Sequence, residues 1–265
     1  MNQDMVKELL QKLHESPAEY NVIFSGKKSP KVNGLYKPGK NEILIHNRNF
    51  ENNERGENLL FYTAMHELAH HIQFTELKQK SARAHTQLFY SVLDDLVDSA
   101  EKKGVYKMPI DKDTQELIDE AKDISREIAA LQRKLGQVLM QLHESCVEKG
   151  IRYEDVIERK AQIARQTEKK AIKAYNLNLS EEIGADIQEA AIKERDEEKI
   201  EAIVHAGQKG KSIDQAKRAV AKPIDQEDET VSLAKEKKRI EHTIASLSRR
   251  LEEVEEQLRS RVNCE

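Results

Sequence analysis

The chain has 265 residues, of which 38% are hydrophobic and 35% are charged. So many charged residues, with few aromatic ones, favour long helices or a coiled coil over one large globular core. The 44 basic and 48 acidic side chains nearly cancel, so no overall basic charge requires a nucleic-acid partner, although a local basic patch can still supply one.

Two cysteines, Cys146 and Cys264, are too few for a disulfide framework or for a four-cysteine zinc ribbon. We expect both to be free thiols in a reducing compartment. The N-terminal segment is amphipathic and charged, unlike a signal peptide, and no run reaches the roughly 18 apolar residues of a membrane helix. The sequence therefore predicts a cytoplasmic protein with no membrane partner.

The aromatic residues concentrate in the first part of the chain. Ten of the twelve Phe and Tyr residues lie between Tyr20 and Tyr106. Because aromatic side chains dominate small globular cores, residues 1–108 are predicted to form a compact domain. Helical and strand patterns both occur in it, so the predicted fold class is α+β.

The elements of this domain follow from periodicity and turn signals. The predicted elements are a helix at 2–15, strands at 21–26 and 42–46, and helices at 57–74 and 83–102. Pro38-Gly39 marks a turn, so the segment from Gly34 is predicted to form a hairpin that ends in the strand EILIH. Gly104 is expected to stop the last of these helices.

Beyond Pro109 the apolar residues recur at alternating intervals of four and three, which is the pattern of a coiled-coil seam. They are Leu117, Ala121, Ile124, Ile128, Leu131, Leu135, Val138 and Leu142, and then Leu233, Ile240, Ile244, Leu247, Leu251, Val254, Leu258 and Val262. Segments 109–146 and 231–265 are predicted to form a long antiparallel coiled-coil hairpin with a helical insert, 147–230, at its tip. The alternative is a parallel coiled coil between two chains, which would make a homo-oligomer.

The most specific motif is the stretch TAMHELAHHIQF, residues 63–74. On a helix, residues i and i+4 point the same way, so His66 and His70 project two imidazoles toward one point. Glu67 is rotated by about 100° from His66, which places its carboxylate beside a shared ion rather than on it. Zinc at this point would lower the pKa of a water toward about 7. His66 and His70 are therefore predicted to bind zinc, and Glu67 to take the proton from that water.

A catalytic zinc needs a third protein ligand and one open position. The metzincin extension is absent, because Gln73 stands where it needs a glycine. A gluzincin would use a glutamate on the next helix, where Asp94 and Asp98 are the nearest substitutes. The remaining candidate is His85, fifteen residues after His70, at the start of the second helix.

H-E-x-x-H followed by H-x-x-x-F, in the stretch AHTQLF, resembles the SprT-like zinc metallopeptidases, the group that includes Spartan. The hairpin VNGLYKPGKNEILIH upstream adds to the likeness, which covers about residues 20–92. The resemblance implies a small zincin-like domain that hydrolyses peptide bonds, with zinc held by His66, His70 and His85 and with Glu67 as general base and acid. In the best-known members it implies proteolysis of proteins that are bound or cross-linked to DNA.

Two features depart from the family's pattern. Ala84 stands before the third histidine, where the family often has glycine. The zinc ribbon that many members carry needs four cysteines, which this chain does not have.

Several neighbours of the motif carry weaker signals. His71 lies one step off the ligand face and is expected to be structural, as is His46 at the end of a strand. Tyr90 is a candidate for stabilising an oxyanion. The strand EILIH is expected to align an extended substrate by edge pairing. The basic residues after the motif helix are expected to be solvated: Lys78, Lys80 and Arg83.

Within the insert, residues 150–178 loosely resemble a helix-turn-helix with RQTEKKAIKAY as the recognition helix. This segment holds seven basic and four acidic residues, a balance suited to phosphate contact. Arg165, Lys169 and Lys173 are the candidate nucleic-acid contacts, and DNA binding would weaken steeply as ionic strength rises. The alternative is one continuous amphipathic helix, because Gln162 stands where the turn usually holds a glycine.

The favoured function is that of a zinc metallopeptidase acting on a protein or peptide substrate. The alternative is a coiled-coil DNA- or partner-binding protein whose zinc site is regulatory or inactive. Glu67 favours the first function, because a structural zinc needs no general base and prefers four protein ligands. A third function is hydrolysis of another bond, since the motif defines the activated water and not the bond that is cleaved.

Overall fold

The computed structural model describes residues 1–51, 55–78 and 84–221, together with part of 237–252. The α+β class is confirmed, with one three-stranded sheet in a mostly helical chain. The strands are β1 (Asn21–Phe24), β2 (Gly34–Lys37) and β3 (Glu42–Ile45). The helices are α1 (Gln3–Leu13), α2 (Gly56–Thr75), α3 (Gln87–Lys102), α4 (Lys112–Glu148), α5 (Tyr153–Asp155), α6 (Arg165–Asn176), α7 (Ala185–Lys193), α8 (Glu197–Gln208) and α9 (Ile213–Val220).

The sheet has the order β1-β3-β2. The hairpin prediction is confirmed, since β2 pairs antiparallel with β3. Strand β1 pairs parallel with the other side of β3, so β3 is the central strand. The expectation that EILIH aligns a substrate by edge pairing is therefore wrong, because both of its edges are already occupied. The edge strand on that side of the sheet is β2.

Helix α2 runs through the centre of the hydrophobic core formed by residues 6–106. Its interior contains no Gly or Pro, which favours a long helix. The core-facing residues of α2 are Leu60, Phe61, Ala64, Met65, Leu68, Ala69 and Ile72, all at most 5% exposed. Helices α1 and α3 and the sheet pack around them. One stripe of α2 remains uncovered, and it carries Leu59, Tyr62, His66 and His70 at helical spacing. The fold thus leaves the motif histidines on the accessible side of a buried helix.

Helix α3 begins at Gln87 because the Thr86 side chain accepts a hydrogen bond from the Phe89 backbone N–H and so acts as the N-cap. His85 consequently lies just before the helix rather than inside it. Gly104, with φ +67°, follows the helix end in the left-handed conformation. This confirms the prediction that Gly104 stops the helix.

Helix α4 is a long helix after Pro109, and its packed face coincides with the predicted seam only in part, since Leu135 and Leu142 pack against a buried cluster while other seam residues are exposed. The buried positions are Ala129, Gly136, Leu139 and Cys146, and they pack against the helices that follow. Seam residues Leu117 and Leu131 are 66% and 64% exposed. A Cβ at Gly136 would lie 2.1 Å from the Ala171 carbonyl oxygen, so only glycine permits the close crossing of α4 and α6.

Helices α6 to α9 form a helical lobe that packs back along α4 and reaches α3. The continuous-helix alternative for 150–178 is excluded, because the chain breaks before α6 and Gln162 has φ +56°. Helix α9 begins at a capping box, in which Ser212 and Gln215 exchange side-chain and backbone hydrogen bonds.

The C-terminal segment forms a separate unit, 222–265. The described residues between 237 and 252 are helical, and Ile240, Ile244, Leu247 and Leu251 are exposed. The remaining seam residues, Leu233, Val254, Leu258 and Val262, lie outside the described residues, as does Cys264. Among the helices of the described part, none combines the length and the apolar character needed to cross a membrane.

Polar contacts join α9 to α3. Asp98 accepts hydrogen bonds from Lys211 at 2.6 Å and from Gln215 at 3.0 Å, and Arg218 pairs with Asp95 at 3.0 Å. Burial alone would raise the pKa of Asp98, but the bonds from Gln215 and Lys211 outweigh it and hold this pKa below its usual 3.8. The ionised form of Asp98 therefore stabilises the folded state.

We expect Asp98→Asn to lower the free energy of unfolding at neutral pH by at most about 1 kcal/mol, since the site is half exposed. Because the folded-state pKa is depressed, this stabilisation is present above pH 3.8 and is lost as the pH falls below it. Urea denaturation of wild type and variant at neutral and acid pH measures the difference. Asp94→Asn is the matched control: burial raises the pKa of Asp94, so this variant should lose no stability at neutral pH. Equal losses in the two variants would contradict the assignment.

Candidate metal centre

The structure brings the three predicted ligands together. His66 and His70 lie one turn apart on α2, with ring centroids 5.1 Å apart, and the His85 ring lies 5.0 Å from each of them. One nitrogen from each ring lies within 4.8 Å of the others, and the two Nε2 atoms of His66 and His85 are 3.0 Å apart. Within the described ranges, this is the group of His, Cys, Asp and Glu side chains with the spacing of a metal site.

The residue types of this group, and the separation of one pair of its nitrogens, suit a zinc ion. Tetrahedral zinc with Zn–N bonds of about 2.0–2.1 Å holds its nitrogen ligands about 3.3 Å apart, close to the separation of the His66 and His85 nitrogens. The donor set is also chemically suitable, since three neutral imidazoles and an open position are typical of a catalytic zinc site. The residues therefore fit the metal that the motif predicts.

Phe89 forms the floor of this site. It is fully buried, and its ring centroid lies 4.8 Å from His66, 4.3 Å from His70 and 4.7 Å from His85. Burial, reinforced by the neighbouring imidazoles, lowers the pKa of both His66 and His70 to about 4. Both rings are therefore uncharged at neutral pH, with a lone pair available for a metal.

The Glu67 side chain extends from α2 toward the edge strand β2, and the residue is 6% exposed. Burial raises the pKa of Glu67 to about 7, although a hydrogen bond from the Tyr36 backbone N–H acts in the opposite direction. A Cβ at Gly34 would lie 2.9 Å from Glu67 Oε1 and 2.8 Å from Thr63 Cγ2. Glycine at this position thus lets β2 approach the carboxylate closely.

The outer edge of β2 borders the site. The Asn33 carbonyl accepts a hydrogen bond from the His46 N–H. In an antiparallel ladder the hydrogen-bonded residues alternate, so the backbone N–H and C=O groups of Leu35 and Lys37 point toward β3. The backbone groups of Gly34 and Tyr36 consequently point away from the sheet, and the Tyr36 N–H meets Glu67 there.

The other candidates near the motif lie outside the ligand group. His71 is fully buried, and its Nδ1 lies 3.0 Å from the Tyr36 hydroxyl while its Nε2 lies 3.1 Å from the Ala18 carbonyl oxygen. His46 Nδ1 lies 2.9 Å from the Ser25 hydroxyl. Tyr90 is 45% exposed with its ring 6.1 Å from that of His85, and its oxyanion role stays a prediction.

Asp94 and Asp98, the acidic alternatives for the third ligand, face α9 instead. Asp94 accepts a hydrogen bond from Ser212, and Asp98 is bound by Lys211 and Gln215. Lys80 and Arg83 lie outside the described residues, and Lys78 is exposed.

The candidate nucleic-acid contacts of α6 differ in their surroundings. Arg165 donates two hydrogen bonds to Glu158, and the Lys173 ammonium donates to the Glu194 carbonyl oxygen at 2.6 Å. Lys169 is exposed. Two of the three cations are therefore engaged by other groups of the protein, and DNA contact through them stays a prediction.

Three residues of the site were missed as site residues. The sequence identifies Phe89 only as part of a family pattern, Gly34 only as the start of the hairpin segment, and Gln73 only as a departure from another motif. Helical geometry could have predicted that Gln73 lies beside His70, because residues i and i+3 are neighbours on a helix.

A scan against protein-family models found no match to this chain, and searches of curated proteins and of solved structures found none either. The comparisons therefore leave the SprT-like resemblance as a likeness in motif and spacing.

Proposed function

We propose that the protein is a zinc-dependent peptidase of the SprT-like type. His66, His70 and His85 hold the ion, and Glu67 is the general base. The observation that carries the proposal is the convergence of three imidazoles beside a buried carboxylate. A purely structural zinc prefers four protein ligands and has no use for such a carboxylate.

Glu67 is suited to move protons at neutral pH. Zinc, when bound, supplies a Lewis acid that makes a water more acidic. A base works best when its pKa is near the working pH, and burial places the pKa of Glu67 at about 7. The same carboxyl can accept a proton from the attacking water and return it to the leaving amine. The Tyr36 N–H donates a hydrogen bond that helps to hold this carboxylate in place.

A peptide is the favoured substrate because the site opens beside a strand edge. An extended chain can add to β2 through the outward backbone groups of Gly34 and the Tyr36 carbonyl, since the Tyr36 N–H is already bound to Glu67. This pairing would carry a peptide bond past Glu67, which lies against the same edge. The edge thus favours peptide hydrolysis over hydrolysis of other bonds. That the substrates are DNA-associated proteins is an extension of the proposal that rests on the resemblance.

Cleavage of an unfolded, fluorescently labelled protein should depend on zinc. The purified full chain, loaded with zinc, is expected to cleave it, a chelator should abolish cleavage, and added zinc should restore it. Fluorescence release and mass spectrometry of the fragments measure the reaction and locate the cleaved bonds. Zinc-loaded protein with no more cleavage than the chelated sample, across several unfolded substrates, would contradict the proposal.

The alternative of a partner-binding arm is favoured by one observation on α4. Its exposed apolar residues follow heptad spacing, whereas a solvated helix face is normally polar. They are Leu117, Ile124, Ile128, Leu131 and Val138. In this alternative the zinc site is regulatory or inactive, and chelation would change partner binding without any hydrolysis to lose. Whether the stripe pairs with 231–265 as an antiparallel hairpin or with a second chain stays a prediction, which the mass of the particle in solution would test.

A further inference from the structure

We infer that Gln73 and Thr86 are positioning residues for the metal centre, which orient His70 and fix the start of α3 beside His85. Neither residue is a ligand. The inference rests on the zinc binding of the proposed function but not on its hydrolytic step. It assigns a role to residues outside the H-E-x-x-H and H-x-x-x-F pattern.

The Gln73 amide is held in one orientation. Its side chain is buried, with 5% exposed, and its Nε2 donates a hydrogen bond to Thr86 Oγ1 at 3.3 Å. With the nitrogen directed to Thr86, the amide oxygen is the group that faces His70, one turn back on α2. Residues 70 and 73 are neighbours on the helix, and a hydrogen bond joins the Gln73 side chain to His70. Gln73 therefore accepts this bond from a ring N–H of His70.

Thr86 connects this amide to the second ligand-bearing element. It directly follows His85, and its hydroxyl oxygen accepts hydrogen bonds from both Gln73 Nε2 and the Phe89 N–H at 3.3 Å. Phe89 in turn packs against all three histidine rings. The chain of contacts from His70 through Gln73 to Thr86 thus joins the end of α2 to the start of α3.

The hydrogen bond between His70 and Gln73 should increase the affinity for zinc. A ligating histidine usually donates its second ring N–H to an acceptor, which fixes the tautomer and makes the ligating nitrogen more basic. A buried amide is also costly unless its polar atoms are hydrogen-bonded, so a role in binding explains why one stands on this face of α2. Loss of such a partner typically weakens metal affinity by about 10–100-fold.

Zinc affinity of full-length variants, measured by competition with a chromophoric chelator, tests the inference. Gln73→Met keeps the shape of the side chain but removes the acceptor, and we expect its affinity for zinc to fall about 10–100-fold. Gln73→Glu restores an acceptor and should bind within a few-fold of wild type. Bound Co²⁺ serves as a second readout, since its absorption bands should change in Gln73→Met and return in Gln73→Glu.

Gln188→Met is the matched control. Gln188 is also a fully buried glutamine, but it bonds the Ala129 carbonyl oxygen and Gln132 in the helical lobe. Its replacement should leave zinc affinity unchanged. If Gln73→Met fails to fold, Thr86→Val replaces it as the test variant, because it removes the hydroxyl that holds the amide, and Thr86→Ser is then the restoring change.

Two results would overturn the inference: wild-type affinity in a folded Gln73→Met or Thr86→Val variant, or equal losses in Gln73→Met and Gln188→Met. Neither result bears on hydrolysis. Conversely, wild-type protein that binds zinc but cleaves nothing would contradict the proposed function while leaving the role of Gln73 intact.

Discussion

Glu67→Gln is expected to lower the rate of peptide hydrolysis by about 10²–10⁴-fold, the usual contribution of a general base. An amide in this position can still accept the bond from the Tyr36 N–H, so the local structure should be kept. It cannot accept the proton of the attacking water at neutral pH. Zinc affinity should stay within a few-fold of wild type, because the three histidines are unchanged. Steady-state cleavage of the labelled protein and zinc content, measured on the same preparation, check both expectations.

Glu76→Gln is the control for this variant. Glu76 lies at the C-terminal end of the same helix, but it bonds His14 and Ser16 on the side away from the metal centre. Its replacement should leave cleavage near the wild-type rate. Undiminished cleavage by zinc-loaded Glu67→Gln would rule out Glu67 as the base, and a large loss of bound zinc in this variant would show that the carboxylate acts as a ligand.

The candidate metal centre is the part of the molecule that its sequence describes best. Helical geometry alone places His66 and His70 on one face, and the gap to His85 requires only that the chain return after α2. Thr86 explains where the return ends, because its side chain caps α3 immediately after the third histidine. These features are local, so short-range rules of helix geometry and capping are sufficient to predict them.

The surroundings of the centre depend on contacts between distant residues. The parallel pairing of β1 with β3 has no turn signal, and without it β3 looks like an edge strand. Gly34 looks like a loop glycine until β2 is placed against Glu67, where it is the residue that permits contact. Neither fact can be obtained from periodicity, which reports how one element faces its surroundings and not which element it meets.

The two faces of α4 also show that periodicity does not identify which neighbour a helix packs against. The apolar residues at heptad spacing mark a stripe that is exposed at Leu117 and Leu131 but packs against a buried cluster at Leu135 and Leu142. Beside Leu139, the buried face carries Ala129 and Gly136, small residues that contribute little to an apolar pattern but allow helices to approach closely. A seam predicted from the spacing of apolar residues therefore misses a helix crossing that depends on the absence of a side chain.

Gly136→Ala should consequently destabilise the protein, although alanine is the better helix former. The gain in helix propensity is about 1 kcal/mol. The added methyl group would lie 2.1 Å from the Ala171 carbonyl oxygen and 2.9 Å from Tyr175 Cβ, and both helices must shift to accept it. Overpacking of this kind costs about 1–3 kcal/mol, and more when backbone must move, so we expect a net loss of about 2 kcal/mol.

The midpoint of urea denaturation, followed by circular dichroism, measures this loss, and Ala130→Gly on the same helix separates the two contributions. Ala130 is exposed, so its replacement changes propensity without changing a helix contact and should cost about 1 kcal/mol. If helix propensity alone governed both sites, Gly136→Ala would instead raise the urea midpoint, by about as much as Ala130→Gly lowers it. A raised midpoint would mean that α4 and α6 do not cross at Gly136, and the attachment of the helical lobe to α4 would have to be reassigned.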